Sequence, residues 1–162
     1  LGTSRGKAIR FPERDVRPMG RTAHGVRGIR LRAGDEVVGM AVVRSGGAVL
    51  TVTEHGYGKR TELNEYRSQS RGGVGIITIH TTLRNGRVAG VEYVEEEDEL
   101  MLITQKGKVL RMDTKDVRPI GRATQGVRLI EIDDHDRVVS IARLREEAGD
   151  GTEADADPET VV

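Results

Sequence analysis

A chain of 162 residues with no cysteine, 21 glycines and only four aromatic side chains excludes a disulfide framework, a thiolate metal site and an aromatic-rich core. Its length suits one ordinary domain or part of a larger repeating one. It has no apolar run near the ~20 residues that span a bilayer and no signal-peptide start, so it reads as an unanchored, cytoplasmic protein.

The formal net charge of zero hides a gradient. Residues 1–91 hold 16 Lys+Arg against 7 Asp+Glu, a surplus of nine, and residues 92–162 hold 10 against 19, a deficit of nine. The cationic part suits a polyanionic partner. With so few bulky rings the core must rest on Val, Ile and Leu, which favour strands.

In chain order, "LGTSRGKAIRF" (1–11) reads as a shortened hairpin, strand–glycine turn–strand, and "EVVGMAVV" (36–43) as a buried strand. "AVLTVTEHGYGKRT" (48–61) is a full hairpin, "RNG" (84–86) is a hairpin turn tolerant of positive φ, and "ELMLITQKGKVLRM" (99–112) is a third hairpin. "RVVSIARL" (137–144) supplies a further buried strand. No capped amphipathic helix is expected in the first 144 residues. The last 18 residues, "REEAGDGTEADADPETVV" (145–162), carry seven acids and one arginine without periodicity, the composition of a disordered acidic tail.

The chain is internally repetitive. Residues 1–44 slid by 101 onto 102–145 give 20 identities in 44 without a gap, with "DVRPMGRTAHGVR" (15–27) over "DVRPIGRATQGVR" (116–128). A shift of 50 brings Thr3, Gly6, Arg10, Arg17, Arg21, Gly25 and Ile29 onto Thr53, Gly56, Arg60, Arg67, Arg71, Gly75 and Ile79. A unit of about fifty residues built from short strands implies an all-β fold of four-stranded antiparallel blades around an axis. The expected blades are 1–47, 48–98 and 99–144. Leu1 aligns with Leu102, inside "ELMLIT", so the first hairpin lacks most of one arm and would expose a sheet edge. The expectation is the C-terminal part of a longer polypeptide.

Each unit has an arginine four residues before a glycine: Arg21 with Gly25, Arg71 with Gly75, Arg122 with Gly126. Taken singly, such a pair is a turn with a solvated cation. Its recurrence beside Lys7, Arg10, Arg17, then Lys59, Arg60, Arg67, then Lys108, Arg111, Arg118 predicts a basic band on the outer rim, suited to nucleic-acid phosphates. Arg27 and Arg128 extend it. In "SQSRGGVGI" (68–76), Gly72, Gly73 and Gly75 would let backbone N–H groups face a phosphate while Arg71 closes on it. No Gly-Lys-[Ser/Thr] follows at P-loop spacing. Four aromatics argue against single-strand binding by stacking, which leaves a duplex gripped through its backbone.

Several of these motifs in order, "GRTAHGVRGIRLRAGDEVVGM", "LTVTEHGYGKRT", "EYRSQSRGGVGI" and "ITQKGKVLRM", resemble the C-terminal domain of the DNA gyrase A protein over residues 1–144. The resemblance implies a β-pinwheel of about six blades, with hairpins exchanged between neighbours and duplex DNA wrapped around a basic perimeter; about three blades would be present here. It implies the partners as well: double-stranded DNA and, in an A2B2 holoenzyme at the nucleoid, the DNA gyrase B protein together with the cleavage core of the gyrase A protein, with no membrane. Wrapping in that family presents a crossing segment for ATP-driven strand passage and negative supercoiling. No cofactor is implied for this chain, ATP and Mg acting elsewhere in the holoenzyme. The family's gyrase A box, Q-R-R-G-G-K-G, has only a degenerate copy here, "QSRGGVG" (69–75), with Ser70 and Val74 at two basic positions. The true box is expected in more N-terminal blades. Topoisomerase IV, whose related pinwheel usually lacks a proper box, is the alternative; a propeller-type protein-interaction module is the rival from another class.

His24, His55, His80 and His135 do not recur at matching positions, and "DDHD" (133–136) aligns with "RAGD" (32–35) as a solvated turn. Tyr57, Tyr66 and Tyr93 have no nearby arginine and metal-binding acid cluster, so no catalysis is expected; by resemblance the cleaving tyrosine lies in a separate upstream domain. "VEEEDEL" (94–100) reads as a charged loop, or with the acidic tail as a competitor of DNA for the rim.

Overall fold

The computed structural model describes residues 1–144; the acidic stretch 145–162 lies outside the described residues. Among these the fold is all-β, with strands β1 (Gly2–Thr3), β2 (Lys7–Ala8), β3 (Val37–Gly39), β4 (Ala48–Thr53), β5 (Tyr57–Glu62), β6 (Ile76–Ile77), β7 (Val88–Val94), β8 (Glu99–Thr104), β9 (Val109–Asp113), β10 (Val127–Arg128) and β11 (Val138–Leu144). Single 3-10 turns at Glu13–Asp15, Leu63–Glu65 and Thr114–Asp116 follow β2, β5 and β9 at repeat-equivalent positions. Among the described residues no helix is long and apolar enough to cross a membrane.

The expected hairpins form as β1–β2, β4–β5 and β8–β9, all antiparallel. The fourth strand of a sheet comes from elsewhere. The first sheet runs β3-β1-β2-β6 and the second β10-β5-β4-β7, while the third has three strands, β11-β8-β9. So β6 of the second repeat completes the first sheet, pairing Lys7 with Ile77 and Ala8 with Ile76. Likewise β10 of the third repeat completes the second, pairing Gly58 with Val127 and Tyr57 with Arg128. Residues 26–27, the first unit's equivalent of β6 and β10, form no strand. Among the described residues there is no preceding sheet for them to join.

The sheets stack. β3 packs on β7 and β7 on β11, which leaves β6 and β10 on the opposite, outer edges of their sheets. β4 is buried at every position because a sheet covers each of its faces. Side chains alternate across a strand, so Val49 joins the cluster with Ala8, Ile79 and Val91 under the first sheet, while Leu50 and Val52 join Leu100, Leu102 and Val138 toward the third. Threonines fill part of the space left by missing aromatics, and two of them are linked to a tyrosine: the Tyr66 hydroxyl lies 2.6 Å from Thr78 Oγ1, itself 3.4 Å from Thr51 Oγ1.

Two local expectations are corrected. Of 36–43 only Val37–Gly39 is strand, and Val37, Met40 and Val42 are exposed. "RNG" is a turn, with Gly86 at φ 75° and its N–H bonded to Thr82 O. It joins no hairpin, because β6 and β7 lie in different sheets. Buried Asn85 holds the loop closed, accepting from the Thr82 N–H at 2.7 Å and donating to the His80 and Gln125 carbonyls. The 133–136 stretch is a turn in which His135 takes the positive φ (69°) that Gly34 supplies in the first repeat.

Candidate nucleic-acid interface

The segment entering each exchanged strand docks on the preceding sheet's outer edge. Arg10 and Arg60 make equivalent parallel bridges to Ser68 and Pro119. The diglycine loop then folds back on the first repeat: Gly72 N–H bonds Gly28 O at 2.7 Å, and Arg30 N–H bonds Gly73 O at 2.8 Å. Arg71 donates from Nε to Asp15 O (3.0 Å) and from Nη1 to Arg27 O (2.5 Å). Arg122 repeats the bond one sheet on, Nη1 to Ile77 O at 3.0 Å, with its own N–H on Glu65 Oε2.

Gly75 (φ 68°) and Gly126 (φ 78°) let the chain lie against β2 and β5, where a Cβ would come within 2.6 Å of Ala8 O and 2.7 Å of Gly58 O. The glycines and half-buried Arg71 and Arg122 thus tie adjacent sheets together, and the Gly72 N–H that was expected to face a phosphate is engaged within the protein.

Other expected rim cations also turn inward. Lys59 is fully buried, its Nζ donating to Thr61 Oγ1 (2.6 Å) and Gly121 O (2.8 Å), and burial lowers its pKa to about 8. A Lys59 ammonium in that position reaches no ligand at the rim. Arg10 donates to the Leu63 and Tyr66 carbonyls, and Arg60, 12 % exposed in its side chain, faces Glu96 at 3.7 Å. Arg111 and Lys108 stay exposed, but each is engaged within the protein, Arg111 by Glu99 and Lys108 by Glu131 O. The 94–100 loop is used the same way: Arg143, largely buried against Tyr93, is met by Asp98 at 2.5 Å and Glu95 at 3.7 Å.

Among the exposed cations of the expected band, one set is regular. Arg17, Arg67 and Arg118 occupy the same position in each repeat, just before the docking segment, and all three are exposed. Arg21 and Arg27 are exposed beside them, Lys7 is half-buried on β2, and exposed Arg128 donates to the Tyr57 hydroxyl at 2.9 Å. Tyr57 lies under two guanidiniums: bonds from Arg128 and Arg84, against the opposing effect of burial, hold its pKa below the ordinary phenol value.

A second cationic locus has no signature in the sequence. Arg5, Lys7, Arg32 and Arg87 surround a depression between the first and second sheets, on the side of the β1–β2 turn, with Asp35 and Thr81. Burial opposes ionisation of Asp35, but bonds from the Arg5 N–H, Thr3, Ser4 and the Glu36 N–H keep its pKa below the usual range. Arg5 and Arg32 do not belong to the repeated set of cations, so only the fold gathers them.

The repeated docking geometry has counterparts among known proteins. Residues 1–44, 48–95 and 98–145 match the family described as "DNA gyrase C-terminal domain, beta-propeller". The chain belongs to the DNA gyrase C-terminal domain family. It is 48% identical to the DNA gyrase A protein of Staphylococcus aureus (strain NCTC 8325 / PS 47) over 164 aligned residues, 100% of this chain and 18% of that protein. The chain thus spans under a fifth of the length of the curated relatives it matches. A solved DNA gyrase A C-terminal domain superposes with TM-score 0.84 at 30% identity, over 89% of this chain and 49% of that one. The C-terminal domain of DNA topoisomerase IV superposes with TM-score 0.84 at 25% identity, over 89% and 45%. The all-β, propeller-like class expected from the repeat is therefore that of the gyrase domain family.

Proposed function

We propose that this chain binds duplex DNA through its phosphates, with little sequence preference, and wraps it around the outer edge of the sheets within a DNA gyrase A protein. The observation that carries the reading is the exposed triplet Arg17, Arg67 and Arg118, one per repeat at one structural position. A row of cations at fixed spacing offsets the bending of a duplex by adding phosphate contacts along its path, where smooth bending by 40–90° costs about 1–6 kcal/mol. In the holoenzyme this chain would support ATP-dependent negative supercoiling by a type IIA topoisomerase, beside the gyrase B protein and the cleavage core in an A2B2 assembly in the bacterial cytoplasm. ATP and Mg would act in those other parts, with no chemical step and no cofactor here. The equal TM-scores leave topoisomerase IV segment capture as the second reading, and the higher identity to gyrase relatives favours wrapping.

The test is the affinity of the chain for random-sequence duplex across a salt series. About two phosphates neutralised per repeat predict a log–log slope of roughly −5 and similar values for unrelated sequences. A folded chain with a slope near zero at low salt would overturn the proposal in favour of a protein-interaction module.

A further inference from the structure

The depression between the first two sheets and its counterpart one seam on have opposite characters. At the first seam four cations face one carboxylate, a surplus of three charges. Asp35 is held by the Arg5 N–H at 3.0 Å, Ser4 Oγ and the Glu36 N–H. Its carboxylate is thus occupied by local donors. Among the described residues no hydrogen bond or ion pair engages the charged heads of Arg5, Lys7 or Arg32, and Arg87 makes one long bond, 3.4 Å, to Gly34 O. These cations are therefore available to an outside anion.

At the second seam the cleft contains Asp133, Asp134 and Asp136 with Arg84 and Arg128, one negative charge in surplus. Both arginines there are already bonded to Tyr57. His55 and Tyr57 stand at the positions of Arg5 and Lys7.

Position adds to charge. β6 runs antiparallel to β2 with Ile77 opposite Lys7, so the chain climbs from Arg67 and the diglycine loop at one end of the sheet to Thr81 at the other. The depression lies at that far end, and a duplex crossing β6 meets cations at both ends of the strand. Crossing β10, it meets Arg118 at one end and, at the other, three carboxylates against two arginines already bonded to Tyr57.

On the footing of the DNA-binding reading above, we propose that Arg5, Lys7, Arg32 and Arg87 form a second phosphate site for the duplex, confined to the first seam. The wrap is held at both margins there and at one margin of the next seam. Grip along the path is unequal, and the duplex leaves the turn side first at the acid-lined cleft.

The site is tested with the whole chain and the double variants Arg5→Gln/Arg32→Gln and Arg5→Ala/Arg32→Ala, both at exposed side chains, with Arg44→Ala as an exposed cation elsewhere. Loss of two phosphate contacts lowers the magnitude of the salt slope by about 2, and Arg44→Ala leaves it unchanged. If the unmodified chain shows a steep slope and both double variants match it, this site is overturned and the DNA reading stands. If the unmodified chain has no slope, the DNA reading fails with it. A drop of about 1 in Arg44→Ala, half that of the double variants for one charge against two, assigns the effect to net charge and overturns the site. Inorganic phosphate is the remaining arm: a thermal shift at matched ionic strength that the double variants lose, with duplex affinity unchanged, would assign the depression to a free anion.

Discussion

The ammonium of Lys59 has two oxygen partners and, among the described residues, no ion pair. Burial favours its neutral form, Glu65 opposes that and Arg122 reinforces it, and the net pKa is about 8 against an ordinary 10.5. Between these values the unfolded chain binds the proton and the folded chain does not, so stability rises with pH from about 8 toward 10.5. Lys59→Met should remove that rise and leave stability at pH 7 equal or higher, since an apolar side chain of similar volume replaces a buried charge. Urea unfolding of both proteins at pH 7, 8.5 and 10 measures the effect, and parallel pH dependence would refute the assignment. This placement is legible in the repeat itself. Shifts of 50 and 51 put Lys59 over Ile9 and Leu110, core positions, and strand alternation sets it on one side with Tyr57 and Thr61. Reading it as a rim cation weighs residue type above register.

At the scale of the element, the recurrence of Arg-x-x-x-Gly is plain in the sequence and its purpose is not. The motif's partners belong to the preceding repeat: Arg71 bonds Arg27 O and Asp15 O, and Gly75 lies on Ala8 O. A sequence compared with itself shows that units repeat, but contains no sign that a strand is lent from one to another. Hairpins are legible because a glycine turn and its strands are local; exchange is not local. Three glycines at one repeat position separate backbone strain from packing. A Cβ added at Gly25 (φ 78°) would meet nothing within 4 Å, whereas at Gly75 and Gly126 it would meet backbone oxygen. Gly25→Ala should cost about 1–2 kcal/mol from the left-handed conformation alone. Gly75→Ala adds an overpacking term of about 1–3 kcal/mol and loosens β6 from β2. Chemical denaturation ranks the two, and equal losses would show that the close approach of Gly75 to β2 contributes nothing.

Over the whole molecule, the three sheets share strands and share cores, so a perturbation in one should be felt in the others. β4 is the hinge of this sharing: Val49 faces the cluster under the first sheet and Leu50 the cluster toward the third. Removing either side chain strips apolar contacts from one seam only. Leu50→Ala should cost about 2–5 kcal/mol and Val49→Ala roughly 1.5–3 kcal/mol. If the seams were independent, Val49→Ala would leave β9 amides protected, because β9 pairs only with β8 in the third sheet. Exchange of β6 and β10 argues the other way. Melting the first seam frees β6, whose chain continues into β7, and β7 pairs with β4 and packs on β11. Both variants should therefore unfold in a single transition, with hydrogen-exchange protection lowered in β2 and β9 alike. Loss confined to the sheets flanking the substituted residue would mean that each seam opens by itself, and a wrapped duplex would then rest on separately yielding edges instead of one rigid rim.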